Sequence, residues 1–254
     1  FFQAQPGIRD IPVTGVQTCA LPIYPRKPKN LYVPYIFSEE ELKKIFKAAD
    51  ELMFVRRNFK CGIFSIPVLL RLLYSTGMRI GEACSLINSD VDMSSRIILV
   101  RNTKNKRDRQ LPISDSLYQV LEQYLIKRDK LPLHNMGNPN SPFLISLDGS
   151  SLTGVSARHW FYKILEASDI DYIPKVGPRI HDLRHTFAVH VLDKLVKEGV
   201  DMHCCLPVLS MALGHKCVSD TEYYVRITNQ VYPHLSDTTS AISEYVFPTI
   251  STMK

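Results

Sequence analysis

Residues 96–113 read Arg96-Ile97-Ile98-Leu99-Val100-Arg101-Asn102-Thr103-Lys104-Asn105-Lys106-Arg107-Asp108-Arg109-Gln110-Leu111-Pro112-Ile113. The stretch is apolar, then polar, then apolar again. Ile97 to Val100 fit a strand, because branched side chains suit a pleated, half-buried surface. Asn102 to Lys106 are turn-forming, and Gln110 to Ile113 can return as a second strand. This predicts a small β-hairpin with a basic tip, since positions 96 to 109 hold six basic residues and one acidic. Taken alone, such a run is a solvated tip or a general phosphate contact.

On either side of the hairpin the periodicity becomes helical. Ser38 and Glu41 have capping-box spacing, and Leu42, Ile45, Phe46 and Ala49 follow at amphipathic intervals. A second apolar helix runs from about Pro67 through Leu69, Leu70, Leu72, Leu73 and Tyr74, with Gly77 as its natural stop. Helical character resumes from Ile80 to Leu86. After the hairpin, Ser114 can cap a helix carrying Leu117, Val120, Leu121, Tyr124 and Leu125. Residues 130–142 form a loop rich in Pro, Asn and Gly. Further helices are expected near 155–168, 181–197 (ended by Gly199) and 206–213. Ser219 and Glu222 repeat the capping-box spacing. The fold class is therefore mainly α with a small antiparallel β-sheet.

Composition narrows the function classes. The chain has 254 residues, 45% apolar and 22% charged, ordinary values for a folded protein. No apolar run approaches the length of a membrane span, so a partnership with membrane is not expected. Lys and Arg number 31 against 25 Asp and Glu, a formal charge of +6 that permits a polyanionic partner without requiring one. The six cysteines include no Cys-x-x-Cys pair and are read as reduced thiols of a cytoplasmic protein. His203, Cys204, Cys205 and Cys217 resemble metal ligands, but adjacent cysteines suit a tetrahedral site poorly.

Four short segments carry chemistry. The first is Thr76-Gly77-Met78-Arg79-Ile80-Gly81-Glu82, where Arg79 alone would be a salt-bridge partner of Glu82. The second is the basic hairpin tip. In the third, Pro178-Arg179-Ile180-His181-Asp182-Leu183-Arg184-His185-Thr186-Phe187, His181 and Arg184 share a helix face, and Asp182 alone would simply favour the helix N-terminus. The fourth is Leu213-Gly214-His215 followed by Tyr223-Tyr224, tyrosines that alone would be packing residues.

In combination and in this order, the segments resemble the tyrosine recombinase family, or phage-type integrases. That family's pattern is an Arg in a T-G-x-R-x-x-E context, a hairpin Lys, His-x-x-Arg, Leu-Gly-His, and a Tyr nine residues beyond that His. The matching positions are Arg79 with Glu82, Lys104, His181 with Arg184, His215, and Tyr224. The resemblance covers roughly 38–235 and implies the recombinase catalytic-domain fold. Adjacent helical residues diverge by about 100°, so only one of Tyr223 and Tyr224 can be the nucleophile; the family spacing selects Tyr224. Lys104, eight residues before Pro112, is preferred over Lys106.

The resemblance implies DNA cleavage by transfer of a phosphoryl group to tyrosine. Fixed guanidinium forks at Arg79 and Arg184 would hold the non-bridging oxygens, with His181 and His215 adding hydrogen bonds. Those cations would favour the Tyr224 phenolate, with His181 as candidate base and Lys104 as general acid to the 5′-oxygen. Lys106, Arg107 and Arg109 are expected to contact DNA. No metal and no nucleotide cofactor is expected, because arginines supply the stabilisation that divalent ions give many nucleases. The implied partners are double-stranded DNA recombination sites and three further copies, as a homotetramer, in the cytoplasm at the nucleoid. Alternatives are a type IB topoisomerase-like enzyme and a non-catalytic DNA-binding remnant.

The domain reading follows. Residues 13–23 resemble the conceptual translation of a sequencing adapter, so 1–23 are read as non-native. Residues 24–37 are read as a Pro-rich basic linker, 38–235 as the catalytic domain, and 236–254 as a tail whose apolar residues suit docking on a neighbouring protomer or packing within the same chain. The family's N-terminal DNA-clamping domain has no room before Ser38, so an N-terminally truncated fragment is expected.

Overall fold

The structure, a computed structural model, describes residues 33–52, 62–101, 108–173 and 176–231. The segment 1–32, the hairpin tip with Lys104, Lys106 and Arg107, and the tail 236–254 lie outside them.

Helix α1 (Glu39–Asp50) starts as its sequence requires. Ser38 Oγ accepts from Glu41 N at 3.2 Å, and Glu41 Oε2 accepts from Ser38 N at 2.7 Å. The stretch read as linker differs at its end. Phe37 is fully buried, and its N–H donates to Thr186 Oγ1 at 3.0 Å. The folded unit therefore takes in residues before Ser38.

Helix α2 (Ile66–Thr76) buries Ile66, Val68, Leu69, Leu70, Leu72, Leu73 and Thr76, which is nearly its whole circumference. A helix apolar all round belongs at the centre, and α2 packs against α1, α4 (Asp115–Arg128) and α6 (Asp182–Lys197). Gly77 ends it at φ 63°, the left-handed stop expected of glycine. Met78 and the extended Arg79 then lead into the short α3 (Ile80–Cys84).

The sheet has three antiparallel strands in the order β1 (Val91–Asp92), β2 (Ile97–Val100) and β3 (Arg109–Pro112). Ile98 pairs with both Val91 and Leu111, and Ile98, Val100 and Leu111 face the core. Two strands were expected. The third, only two residues long, has no periodicity to reveal it. Ser114 then caps α4, accepting from Leu117 N at 3.3 Å.

Helices α5 (Gly154–Ala167), α6, α7 (Met202–Leu213) and α8 (Ser219–Val231) complete the described chain. Two buried clusters result. The larger joins α1 to α5 and the sheet, reaching Leu183 at the start of α6. The smaller holds Ala188, Val189 and Leu192 of α6 with Leu206, Leu209, Leu213, Tyr224 and Ile227. The first turn of α6 thus lies where the two clusters meet. Among the described residues, no helix is long and apolar enough to cross a membrane.

Candidate active site

The end of α2, the base of the hairpin, the first turn of α6, the loop after α7 and the middle of α8 converge on one charged cluster. Arg79 occupies the N-cap position of α3, and Glu82 sits in that helix's first turn. Glu82 Oε2 accepts from Arg79 N at 2.9 Å, and Oε1 accepts from Arg79 Nη1 at 2.8 Å. Arg79 Nη2 reaches the Gly214 carbonyl at 3.3 Å.

Arg109, expected among the DNA contacts, is turned inward. Its Nη2 and Nη1 donate to the two oxygens of Glu82 at 2.6 and 3.2 Å, and its Nε donates to the Ala212 carbonyl at 2.8 Å. Burial favours a protonated Glu82, but the hydrogen bonds and charge of Arg109 and Arg79 prevail and hold its pKa at about 2. The carboxylate therefore binds α3 to β3 while remaining ionised.

Arg184 is 3% exposed. Its Nη1 donates to the Gly77 carbonyl at 2.9 Å and its Nη2 to the Leu213 carbonyl at 2.7 Å. Burial lowers its pKa to about 10, so it stays charged at neutral pH. A guanidinium has five N–H groups, so these two bonds orient it and leave donors for an anion.

Three histidines border the two guanidinium groups. His181 precedes α6, and burial together with Arg184, Arg179 and Arg79 lowers its pKa to about 4. His215 is lowered to about 4 by burial and Arg184, and its Nδ1 pairs with Thr221 Oγ1 at 2.8 Å. His185 is lowered to about 3, again chiefly by burial. All three are neutral at pH 7.

Tyr224 is 3% exposed and lies among them. Its hydroxyl is 3.0 Å from His185 Nδ1, and its ring runs parallel to that of His215, within 4° at 6.0 Å between centroids. The Arg184 guanidinium faces the same hydroxyl, where its charge and hydrogen bonding favour the phenolate. Burial outweighs that attraction, and the phenol pKa is raised. The guanidinium groups thus favour the phenolate as the sequence suggested, and burial works against them more strongly. Tyr223 packs as a half-buried side chain against the smaller cluster.

The structure thus brings together Arg79, Glu82, His181, Arg184, His215 and Tyr224. Lys104, Lys106 and Arg107 lie outside the described residues, although β3, which follows them, reaches the cluster through Arg109. The ring in contact with the tyrosine hydroxyl is His185, which sequence reasoning passed over. The available signal was its spacing from His181, since positions four apart share a helix face; the two rings meet edge to face at 5.0 Å.

Among the described residues, no group of three or more His, Cys, Asp or Glu is arranged to hold a metal ion. A cavity of ≈ 570 Å³ lined by His159, Tyr162, Lys163 and Tyr172 lies along α5, and none of the arginines of this cluster lines it. What the arginine cluster can do chemically is bind an anion beside a buried hydroxyl.

The chain matches the phage integrase family over residues 36–230. It is 31% identical over 217 residues to putative integrase/recombinase y4rB of Sinorhizobium fredii, covering 85% of this chain and 66% of that protein. To tyrosine recombinase XerA of Pyrococcus horikoshii it is 30% identical over 208 residues, covering 81% of this chain and 61% of that one. The fold is similar to that of XerH site-specific recombinase in its post-cleavage complex with palindromic difH substrate. There the TM-score is 0.60 at 23% identity, over 83% of this chain and 54% of the other. The chain spans less than two thirds of the length of these relatives.

Proposed function

The chain belongs to the phage integrase family, and from that premise we propose that it carries the catalytic domain of a site-specific tyrosine recombinase. Its substrate is double-stranded DNA, cleaved and rejoined through a 3′-phosphotyrosyl link. The observation that carries this reading is the Tyr224 hydroxyl lying against Arg184, with Arg79 in the same cluster.

The geometry supports a sequence of roles. Arg79 and Arg184 hold the non-bridging oxygens of the scissile phosphate while negative charge grows on them; removing one such donor typically costs 10²–10³ in rate. Their orientation is fixed before DNA arrives, because main-chain carbonyls and Glu82 already occupy part of each fork. His181 and His215, neutral and close by, add hydrogen bonds. Tyr224 attacks phosphorus, and Lys104 protonates the departing 5′-oxygen. The bond energy stays in the phosphotyrosine, so a 5′-hydroxyl from another strand can reverse the step without ATP. Lys106 and Arg107 meet the DNA backbone beside the site. Four copies assemble on two DNA sites, with residues 236–254 of one docking on the next.

Covalent trapping tests this reading. The chain, alone and extended by the codons preceding it in its source locus, meets nicked duplexes from the DNA flanking its gene, on which a cleaved strand cannot religate. A denaturation-resistant adduct is expected, undiminished by EDTA, lost in Tyr224→Phe and retained in Tyr223→Phe. Loss in Tyr223→Phe alone would move the nucleophile. Tight DNA binding with no adduct from either form would leave a non-catalytic remnant, and relaxation of supercoils without recombination sites would favour the topoisomerase.

A further inference from the structure

A buried phenol cannot attack phosphorus as a neutral group unless its proton has somewhere to go. Tyr224 is such a phenol: burial holds its pKa up despite the neighbouring guanidinium. Two groups face its oxygen. Arg184 carries only donors, so the phenol oxygen must accept from it. The hydroxyl hydrogen then needs an acceptor, and His185 Nδ1 lies 3.0 Å away. His181 was the candidate base from sequence. Its ring packs edge-on to His185, and the hydrogen bond to the tyrosine belongs to His185.

We propose that His185, through Nδ1, is the catalytic group that takes the Tyr224 proton during DNA cleavage and returns it during rejoining. This rests on the recombinase reading above. In the forward step the Tyr224 O–H bond breaks and its proton passes to Nδ1. The phenol oxygen bonds to phosphorus. The bond from phosphorus to the 5′-oxygen breaks with its electron pair, and that oxygen is protonated by Lys104. In the reverse step a 5′-hydroxyl attacks phosphorus and gives its proton back to Lys104, the bond from phosphorus to the tyrosine oxygen breaks with its electron pair, and that oxygen recovers its proton from His185.

The surroundings of His185 set the timing. It is faced by Arg184 of its own helix, His181 and Arg179 ahead of that helix, His215 after α7 and Tyr224 of α8. Burial and these cations keep the imidazole neutral, and so able to accept. A phosphodiester entering between the arginines brings the negative charge that raises its basicity as the proton arrives. A fixed acceptor in contact with the hydroxyl is what general-base catalysis requires, and such a group contributes typically 10²–10⁴-fold.

The test uses single-turnover adduct formation on nicked duplexes across a pH series. His185→Gln should bind DNA as the parent does but cleave about 10²-fold more slowly. Its rate should climb tenfold per pH unit, because hydroxide must then make the phenolate. Incorporating a fluorinated, more acidic tyrosine at 224 should restore most of the loss, which a purely structural role for His185 would not allow. A His185→Gln rate within threefold of the parent would overturn the proposal. So would a loss that the acidic tyrosine fails to restore, or the same behaviour in His181→Gln alone. Nitrogen NMR on the chain without DNA gives an independent measure. Nδ1 of His185 should be unprotonated and should shift when Tyr224→Phe removes the donated hydrogen; a protonated Nδ1 would refute the assignment. If the parent forms no adduct while the NMR result stands, the recombinase reading fails and the hydrogen-bond assignment survives.

Discussion

Replacing Gly77 with alanine should damage both stability and chemistry, while the same change at Gly81, four positions along the same motif, should do neither. Gly77 has φ +63°, and a Cβ there would lie 2.4 Å from Phe187 Cδ1 and 2.9 Å from Leu213 Cδ2. The left-handed conformation costs a side-chain-bearing residue about 1–2 kcal/mol, and forcing a methyl group into a packed contact costs about 1–3 kcal/mol. A loss of about 3 kcal/mol follows, which lowers the melting temperature of a domain this size by roughly 6–12 °C. The chemical effect arises because the Gly77 carbonyl anchors Arg184, and Phe187 stands on the next turn of α6. Misplacing a positioning group by 1 Å can cost about 10²-fold in rate. At Gly81 a Cβ would meet no atom within 4 Å, so alanine there should gain up to about 1 kcal/mol of helix propensity. Thermal unfolding by far-UV circular dichroism and adduct formation on nicked DNA measure the two effects. Equal melting temperatures and equal adduct rates for Gly77→Ala and Gly81→Ala would refute the reasoning.

Acid should weaken the fold in two windows, followed by denaturant unfolding from pH 8 to pH 3. His181, His185 and His215 are held neutral with pKa values of about 4, 3 and 4 against an ordinary 6.5, so the stability they preserve is complete above pH 6.5 and declines as pH falls below it. Glu82 is held at about 2 against 4.5, so its contribution is complete above pH 4.5 and is lost as pH falls towards 2; Glu82→Gln should remove this lower window and keep the upper. Arg109→Met should cost about 2–3 kcal/mol, since it leaves the buried Glu82 with Arg79 alone and the Ala212 carbonyl without its donor. Combining it with Glu82→Gln should cost at least 1 kcal/mol less than the separate losses added together. Strict additivity would show that the pair does not act as a unit.

Local signals in the sequence were reliable because their causes are local. The Ser38 capping box, the Ser114 cap and the Gly77 stop depend on groups within a few residues, and each forms as expected. Strand β1 was not legible, since two residues carry no pattern and are held by pairing to β2. The inward turn of Arg109 was hidden inside a run of like charges. Nothing in such a run shows which member will find a carboxylate 27 positions earlier. Phe37 read as the end of a linker because its partners, Phe161 and Thr186, lie far along the chain. The tyrosine pKa depended on dryness, which motif spacing does not convey. His185 was visible as a helix-face neighbour of His181, but its contact with Tyr224 requires α6 and α8 to be packed together.

The anchoring of Arg184 on two main-chain carbonyls has a thermodynamic consequence. A carboxylate would fix the side chain and cancel its charge, whereas the carbonyls of Gly77 and Leu213 fix it and leave the charge intact. With Arg79 and Arg109 sharing one carboxylate in Glu82, the centre is a cage of mutually repelling cations beside imidazoles that carry no charge. Folding works against that repulsion, and on the proposed recombinase reading a phosphate entering between the cations would relieve it. It would be relieved further as the phosphate gained negative charge on its way to the transition state. On that reading, part of the drive for the chemistry is laid down when the chain folds.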